Sequence, residues 1–540
     1  MKRTITILAI VLTSANSFEQ APVWSWANSA GGTTPDRGNS VSADASGNVF
    51  MTGYFNSPTI TFGTTTLTNE GNTNIYIAKY DTDGNVLWAK SAGGTLSDGG
   101  NSVSTDASGN VFMTGYFSSA AITFGTTTLT NAGAYSVFIV KYDADGTVLW
   151  AESAGGTSSD YGTSVSTDAS GNVFITGYFS SPTINFGTTT LTNAGNNDIF
   201  IVKYDADGTV LWAESAGGTS SDAGASVSTD ASGSVFVTGE FSSPTITFGT
   251  TTLTNAGNTD VFIVKYGDAG TALWAKSADC TSFDGGTGVS TDASGNVYMT
   301  GYFNSPAVTF GTTTLTNAGL YNIFIVKYDA AGTVLWAESA GGTSSDFGYS
   351  VAAADGGYLF ITGLFSSPTI NFGTTTLPNS GSASTNDIFI AQYDAAGTVI
   401  WAASAGATFN DVGYSVSVDA SGSVFVTGEF TSPAINFGST TLTNSGVFDI
   451  FIVKLNTTAA LEEMQNENGI IISPNPSSGK CTIEAKGDFE IYTLMGQKVW
   501  SGSNNSSDKM EIDLSGEAKG IYVLRIKSGA EISAQKIIIH

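Results

Sequence analysis

The sequence predicts an all-β chain: a seven-bladed β-propeller of four-stranded blades, closed by its own N-terminal strand, then a small Ig-like β-sandwich. Three observations point there. Trp26, Trp88, Trp150, Trp212, Trp274, Trp336 and Trp401 recur every 62 residues, with one spacing of 65. Each unit holds short alternating or apolar runs punctuated by Gly, Asp and Asn turns. The first and last units are incomplete in complementary ways.

The unit around Trp150 shows the pattern. Thr147 to Ser153 (TVLWAES) reads as a strand, Ala154 to Gly162 as a loop, and Thr163 to Thr167 as a short strand. The turn Asp168 to Asn172 (DASGN) leads into the strand Val173 to Phe179 (VFITGYF). A long insert, SSPTINFGTTTLTNAGNN, precedes the strand Asp198 to Asp205 (DIFIVKYD), and ADG turns the chain into the next TVLWAES. At the ends, Pro22 to Ser29 is a Trp strand with no FIVKY-type strand before it, and Ile450 to Leu455 is a FIVKL strand with no Trp strand after it. Pairing the two closes the ring over residues 22–455 and removes two open sheet edges. An open solenoid would need capping repeats. The segments SVSTDASGNVFITGYF and DIFIVKYDADGTVLWAES resemble the bacterial seven-bladed β-propeller repeat over nearly all of Pro22 to Leu455, which implies the fold and no single activity.

The formal net charge is −27, unevenly spread: Phe18 to Leu455 holds 9 Lys+Arg against 35 Asp+Glu, whereas Ile470 to His540 holds 8 of each. Such a propeller repels nucleic acid and anionic lipid. Lys2 and Arg3 precede the apolar run Ile5 to Leu12 and the small residues Thr13 to Ser17, which reads as a signal peptide over residues 1–17. That run is too short to span a bilayer, and no other segment is expected to cross one. Cys280 and Cys481 fall in different domains, so burial rather than a disulfide must stabilise the fold. A monomer is expected.

After the repeats, residues 456–469 are polar and acidic and read as a linker. Seven short β runs follow over 470–540, as a small β-sandwich requires. Pro474, Asn475, Pro476 and Gly479, then Tyr492 and Gly496, then Gly520 to Arg525 with Tyr522, and finally Lys536, resemble the C-terminal sorting domain of type IX secretion cargo. The resemblance implies export, recognition of this domain by that machinery, and release or anchoring at the outer surface.

Histidine chemistry is excluded from the body of the chain, because the single histidine is His540. Asp36, Asp98, Asp160, Asp222, Asp284, Asp346 and Asp411 recur with Gly two residues on, and each is expected to accept backbone N–H groups within its own loop. No cofactor is expected. Calcium is the one candidate, at the turns of Asp81 and Asp83, Asp143 and Asp145, and Asp205 and Asp207, although the second acid is absent from later units. Departures from the repeat are more informative. Glu240 and Glu429 replace the Tyr of TGYF, and Arg37, Tyr161, Phe347, Tyr349 and Tyr414 stand one or three residues after the recurring Asp. Strand direction gathers them on one variable face, as exposed aromatics suited to a polar ligand. The expected function is a secreted or cell-surface binding scaffold for a glycan or protein. The alternatives are a polysaccharide-degrading enzyme using carboxylates or Tyr, and a purely structural surface or adhesion component.

Overall fold

A computed structural model describes residues 22–278, 280–382, 385–456, 471–473, 479–484, 486–493, 498–504, 509–516, 520–528 and 531–539. Residues 1–17, read above as a signal peptide, and the expected linker from 457 onward lie outside them. The chain separates into two compact units, residues 1–457 and 458–540.

The first unit holds seven four-stranded antiparallel sheets. The first blade orders Asp36–Ala43, Val49–Phe55, Asn74–Tyr80 and Val86–Ala92, and five more repeat it. In the seventh, Asp411–Val418, Ser423–Phe430 and Asp449–Asn456 are completed by Val23–Ala30 from the start of the chain. That pairing runs from Val23 opposite Asn456 to Ala30 opposite Ile450. Second and third strands are buried almost throughout, as in VFITGYF and DIFIVKY, because neighbouring blades cover both their faces. The fourth strand, VLWAESA, is partly exposed at the outer rim.

Two features differ from the sequence reading. The first strand begins at Asp160 rather than Thr163, because Asp160 pairs with Phe179 and a bulge at Thr163 restores the register. The long insert is not a loop: in every blade it forms a hairpin such as Thr59–Phe62 with Thr65–Thr68. Ile60, Phe62 and Leu67 bury one face of it beside Tyr76, Tyr80 and Ala89, while the threonines face outward. Its turn residue Gly63 has φ of +57°, and a Cβ there would lie 3.0 Å from Cβ of Val86 on the fourth strand. The hairpin therefore packs against the rim of the blade, where its TxTxT alternation satisfies a half-buried strand.

The periodic Trp is an inter-blade contact. Trp88 donates from Nε1 to Ala144 O in the turn of the next blade (3.2 Å) and lies over Gly146, where a Cβ would come within 3.0 Å of the indole. Lys79 Nζ reaches the same carbonyl at 2.9 Å and stands 5.0 Å from the Phe50 ring, so its buried charge has both a dipole and an aromatic face. Nearer the axis, Ser40 Oγ accepts from Val103 N (3.1 Å), and the same serine-to-amide bond recurs at the other blade junctions except where Gly288 replaces the serine.

The second unit has two sheets, one of Ile471–Ser473, Lys480–Glu484 and Lys509–Asp513, the other of Lys498–Asn504, Gly487–Thr493, Gly520–Ser528 and Glu531–Ile539. Ile483 and Ile512 of one pack with Phe489, Ile491 and Leu524 of the other, which makes a β-sandwich.

Deleting Pro22 to Gly31 should lower the melting temperature of the propeller by on the order of 10 °C or more, because it bares the edge of Asp449–Asn456. Removing ten residues of the linker should change it little. Equal melting temperatures by calorimetry would contradict closure through the N-terminal strand.

Candidate functional site

The seven recurring aspartates are buried at the head of each first strand. Asp98 Oδ2 accepts from Gly94 N (2.9 Å) in its own loop and from Ser119 Oγ (2.7 Å). Its Oδ1 accepts from Ser118 N and Ser119 N (3.0 and 3.1 Å), at the end of the second strand. The role is therefore wider than a turn within one loop: the carboxylate ties two separate segments of the variable face together. Burial raises the acids Asp36, Asp346 and Asp411 above their ordinary value, the last to about 6, and the serine and amide donors oppose it.

These anchors set the direction of the residues next along each first strand. The first strands adjoin one another around the axis, and the third residue after each aspartate faces the channel: Asn39, Asn101, Thr163, Ala225, Thr287, Tyr349 and Tyr414. With Arg37, Tyr54 and Tyr116 they line a cavity of about 520 Å³ at the channel mouth, above a narrower one of about 170 Å³ bounded by the serine level.

Of the residues the sequence singled out, Arg37, Tyr349 and Tyr414 line this cavity. The Arg37 guanidinium lies 3.8 Å from the centroid of Tyr414, and its Nε is 3.2 Å from Glu429 Oε2. Tyr414 donates to Glu429 Oε1 at 3.1 Å. Burial raises Glu429, with Arg37 and Tyr414 opposing; burial would lower Arg37, and Glu429, Tyr414 and Tyr54 together more than offset it. Tyr414 packs at a tilt against Tyr349 (5.5 Å), and Tyr349 stacks on Phe347 (6.2 Å). The rings are half-buried in mutual contact, not freely exposed as the sequence suggested.

Phe347, Tyr161 and Glu240 do not line the cavity; they form a tier behind it. Phe347 packs with Tyr302 and Tyr321, and Tyr302 donates to Glu240 at 3.0 Å. Burial raises Glu240, with that bond opposing. Tyr161 packs with Tyr116, Tyr135 and Tyr178 at 5.0 to 5.2 Å. Burial pushes Tyr116 up to about 12. Sequence reasoning missed Tyr54, Tyr116, Asn39 and Asn101 as lining residues. The tyrosines belong to the shared TGYF repeat and so looked like framework.

The calcium candidates lie in tight turns. Asp143 Oδ1 accepts from Asp145 N (3.0 Å) and Thr147 N (2.7 Å), and Asp81 and Asp205 do likewise. Asp329, whose turn has no second acid, makes the same bonds from Ala331 N and Thr333 N. The turn thus uses only the backbone of Asp83, Asp145 and Asp207. Among the described residues no group of three His, Cys, Asp or Glu is placed to hold a metal ion.

Residues 472–540 match the family described as a secretion system C-terminal sorting domain. The C-terminal unit is a sorting domain. It directs secretion through the type IX system to the cell surface or the exterior. Of its landmarks, Gly479 is described at φ of +105°, with its carbonyl accepting from Leu514 N, and Tyr522 is buried in the sandwich core. Pro474, Asn475, Pro476 and Gly496 lie outside the described residues. Gly520 and Lys536 lie in the paired strands Gly520–Ser528 and Glu531–Ile539. The chain is similar to an uncharacterized WD repeat-containing protein of Acanthamoeba polyphaga mimivirus, 27% identical across 76% of this chain and 36% of the relative. It is also similar to the regulatory protein FlaEY of Caulobacter vibrioides, 30% identical across 25% of this chain and 14% of that protein. The chain thus spans about a third or less of the length of these relatives. Among solved structures, Sqt1 from Chaetomium thermophilum is 11% identical with a TM-score of 0.39, covering 81% of this chain and 99% of that one. No helix among the described residues is long and apolar enough to cross a membrane.

The turns and the tail each give a measurable outcome. Calcium or a chelator should leave the unfolding midpoint unchanged, since a native-state ligand must stabilise by mass action; a shift of several degrees would restore the turns as metal sites. Truncation at residue 469 should leave the propeller folded but abolish its appearance outside a host with this secretion system, read by fractionation and circular dichroism.

Proposed function

We propose that the protein is a secreted or cell-surface binding scaffold that engages a glycan, or a polar loop of a partner protein, at the channel mouth. The observation that carries this is the row Tyr349, Tyr414 and Arg37, two rings ended by a guanidinium and backed by Phe347, beside the amides of Asn39 and Asn101. Sugar rings present apolar C–H faces and hydroxyl rims, which suit aromatic faces flanked by amides and hydroxyls. The cavity volume of about 520 Å³ falls in the range of small-ligand sites. Arg37 is the sole arginine of the propeller, and it supplies a cationic edge in an otherwise acidic body.

Binding is favoured over catalysis by the state of the groups present. Burial and the neighbouring Glu429 push the Tyr414 hydroxyl far above its ordinary value, so it is a donor rather than a base at neutral pH. Glu429 is held by Arg37 and Tyr414, and Glu240 by Tyr302.

A glycan array probed with the propeller should give a defined set of ligands. Tyr349→Ala and Tyr414→Ala should each weaken binding about tenfold or more while leaving the melting temperature within a few degrees. Unchanged affinity in both variants would remove the channel mouth as the site. Absence of any ligand would favour the structural reading, and shortening of a bound polysaccharide the enzymatic one.

A further inference from the structure

Each third strand opens on a buried polar residue: Asn74, Ser136, Asp198, Asp260, Asn322, Asp387 and Asp449. The neutral copies show what the position requires. Asn74, with its amide oriented to satisfy both ends, accepts from Glu70 N (3.3 Å) and donates to Thr73 O (3.2 Å) and Asn69 Oδ1 (3.1 Å). Asn322 accepts from Ala318 N (3.2 Å) and donates to Tyr321 O (3.2 Å) and Asn317 Oδ1 (3.1 Å). Ser136 Oγ accepts from Ala132 N (3.1 Å) and donates to Asn131 Oδ1 (2.8 Å). All three accept from the amide four residues back and donate into an oxygen-lined site.

The acidic copies reproduce only the first half. Oδ2 accepts from Ala194 N at Asp198 (2.9 Å), from Ser380 N at Asp387 (2.6 Å) and from Ser445 N at Asp449 (2.7 Å). In all three, Oδ1 is buried and receives no hydrogen bond. It lies against the glycine after the fourth strand, where a Cβ on Gly217, Gly406 or Gly31 would be 2.1 Å from it. In the Asn74 copy, the atom nearest the matching Gly93 (2.4 Å from such a Cβ) is the amide nitrogen once the amide is oriented as above. Oδ1 therefore occupies a donor's place. As an ionised oxygen it would face other oxygens with nothing to accept; as an O–H it would donate as Asn and Ser do.

We propose that Asp198, Asp387 and Asp449 are neutral carboxylic acids in the folded propeller, each donating its Oδ1 proton into the oxygen-lined site that Asn74, Ser136 and Asn322 fill in other blades, so that the ring takes up protons as it folds. Each has a second acid near it on the next blade: Asp222, Asp411 and Asp36 respectively. Those acids accept from serine hydroxyls and backbone amides, whereas Oδ1 of each third-strand acid accepts nothing. The hydrogen bonds of each pair therefore favour the charge on the first-strand acid and the proton on the third-strand acid, against the burial that raises Asp36 and Asp411. Among the described residues none of the six forms an ion pair with Lys, Arg or His. Burial, aided by the facing acid, raises Asp198 and Asp449 to about 6, and burial raises Asp387 as well.

Proton linkage sets the sign. An acid whose folded value lies above its ordinary 3.8 binds more protons folded than unfolded between the two values. Its destabilisation is absent below that window, grows as pH rises through it, and is complete above about 6. The turn acids Asp81, Asp230, Asp292 and Asp329 are held below their ordinary value, and they lose stability only in stronger acid. Stability should therefore peak in mild acid.

The test is thermal melting of the full chain from about pH 5 to about pH 8. Wild type should melt progressively lower as pH rises to about 6 and level off above it. The triple variant Asp198→Asn, Asp387→Asn, Asp449→Asn, which supplies the amide found at Asn74 and Asn322, should melt higher than wild type at the alkaline end and give a flatter profile. Asn322→Asp should do the reverse and steepen it. Infrared difference spectra in mild acid should show a protonated-carboxyl carbonyl band in wild type that the triple variant lacks. A triple variant that melts no higher than wild type in alkali, or an Asn322→Asp profile parallel to wild type, overturns the proposal. Should the triple variant not fold, Asn322→Asp and the wild-type carbonyl band decide alone, and the absence of both effects overturns it.

Discussion

At the head of every first strand a buried aspartate draws hydrogen bonds from the loop before it and from the end of the second strand, and the geometry of the variable face depends on that convergence. An ionised carboxylate in such a place is stable only when donors replace its lost water. Asp222 shows the arrangement: Gly218 N, Ser242 N, Ser243 N and Ser243 Oγ all point at it. The neighbours must be small for this to fit, since a Cβ on Gly218 would lie 2.7 Å from Cβ of Ser243. Once the two segments are pinned, the residue three places along has only the channel to face.

The anchored blades are locked to one another by a separate set of contacts. Trp150 bonds to Ala206 O and packs over Gly208 of the next blade, and Ser102 Oγ accepts from Val165 N. One set lies toward the rim and the other beside the axis, so each blade is held at two radii and its tilt is fixed. Trp401 has no hairpin turn after it, because the next blade is the one joined from both chain ends. It is instead buried within the core of the closing blade, with Leu455 and Val453. Gly288 interrupts the serine ring at one junction only, which the remaining contacts tolerate.

Most of the architecture was legible because the repeat restates each rule seven times. The period of Trp, the Gly turns and the orphan strands at the two ends together specify the number of blades and how they close. What was not legible depended on contacts between units. The hairpin Thr183–Phe186 with Thr189–Thr192 has a strand's alternation, but its buried face meets a rim that exists only after the blade has formed. The site was half legible. Arg37, Tyr349 and Tyr414 stood out as departures from the repeat, and they do line the cavity. Tyr54 and Tyr116 line it too, yet nothing local distinguishes them from Tyr178, which stands behind. Their difference arises from the residue opposite each one in its own blade: Arg37 stands opposite Tyr54 and Gly99 opposite Tyr116, whereas the Tyr161 ring stands opposite Tyr178 and packs on it.

A repeat can acquire a unique site only where a side chain has no packing duty. The channel-facing positions meet that condition: Asn39, Ala225 and Tyr349 are equivalent in the fold and differ widely in size and polarity. Where the side chain can reach, it bridges to the next blade, as Asn39 does to Gly100 O and Thr163 to Gly224 O. Where it cannot, as at Ala225, the mouth is wider and less polar. The fourth blade contributes Ala225, the sixth and seventh contribute the paired rings of Tyr349 and Tyr414, and the first contributes the Arg37 guanidinium. The mouth of a nearly seven-fold body is thus lopsided, with an aromatic, cationic side opposite a small-residue side. A ligand of the proposed kind would meet one orientation that pairs its apolar face with Tyr349 and Tyr414, and six that do not.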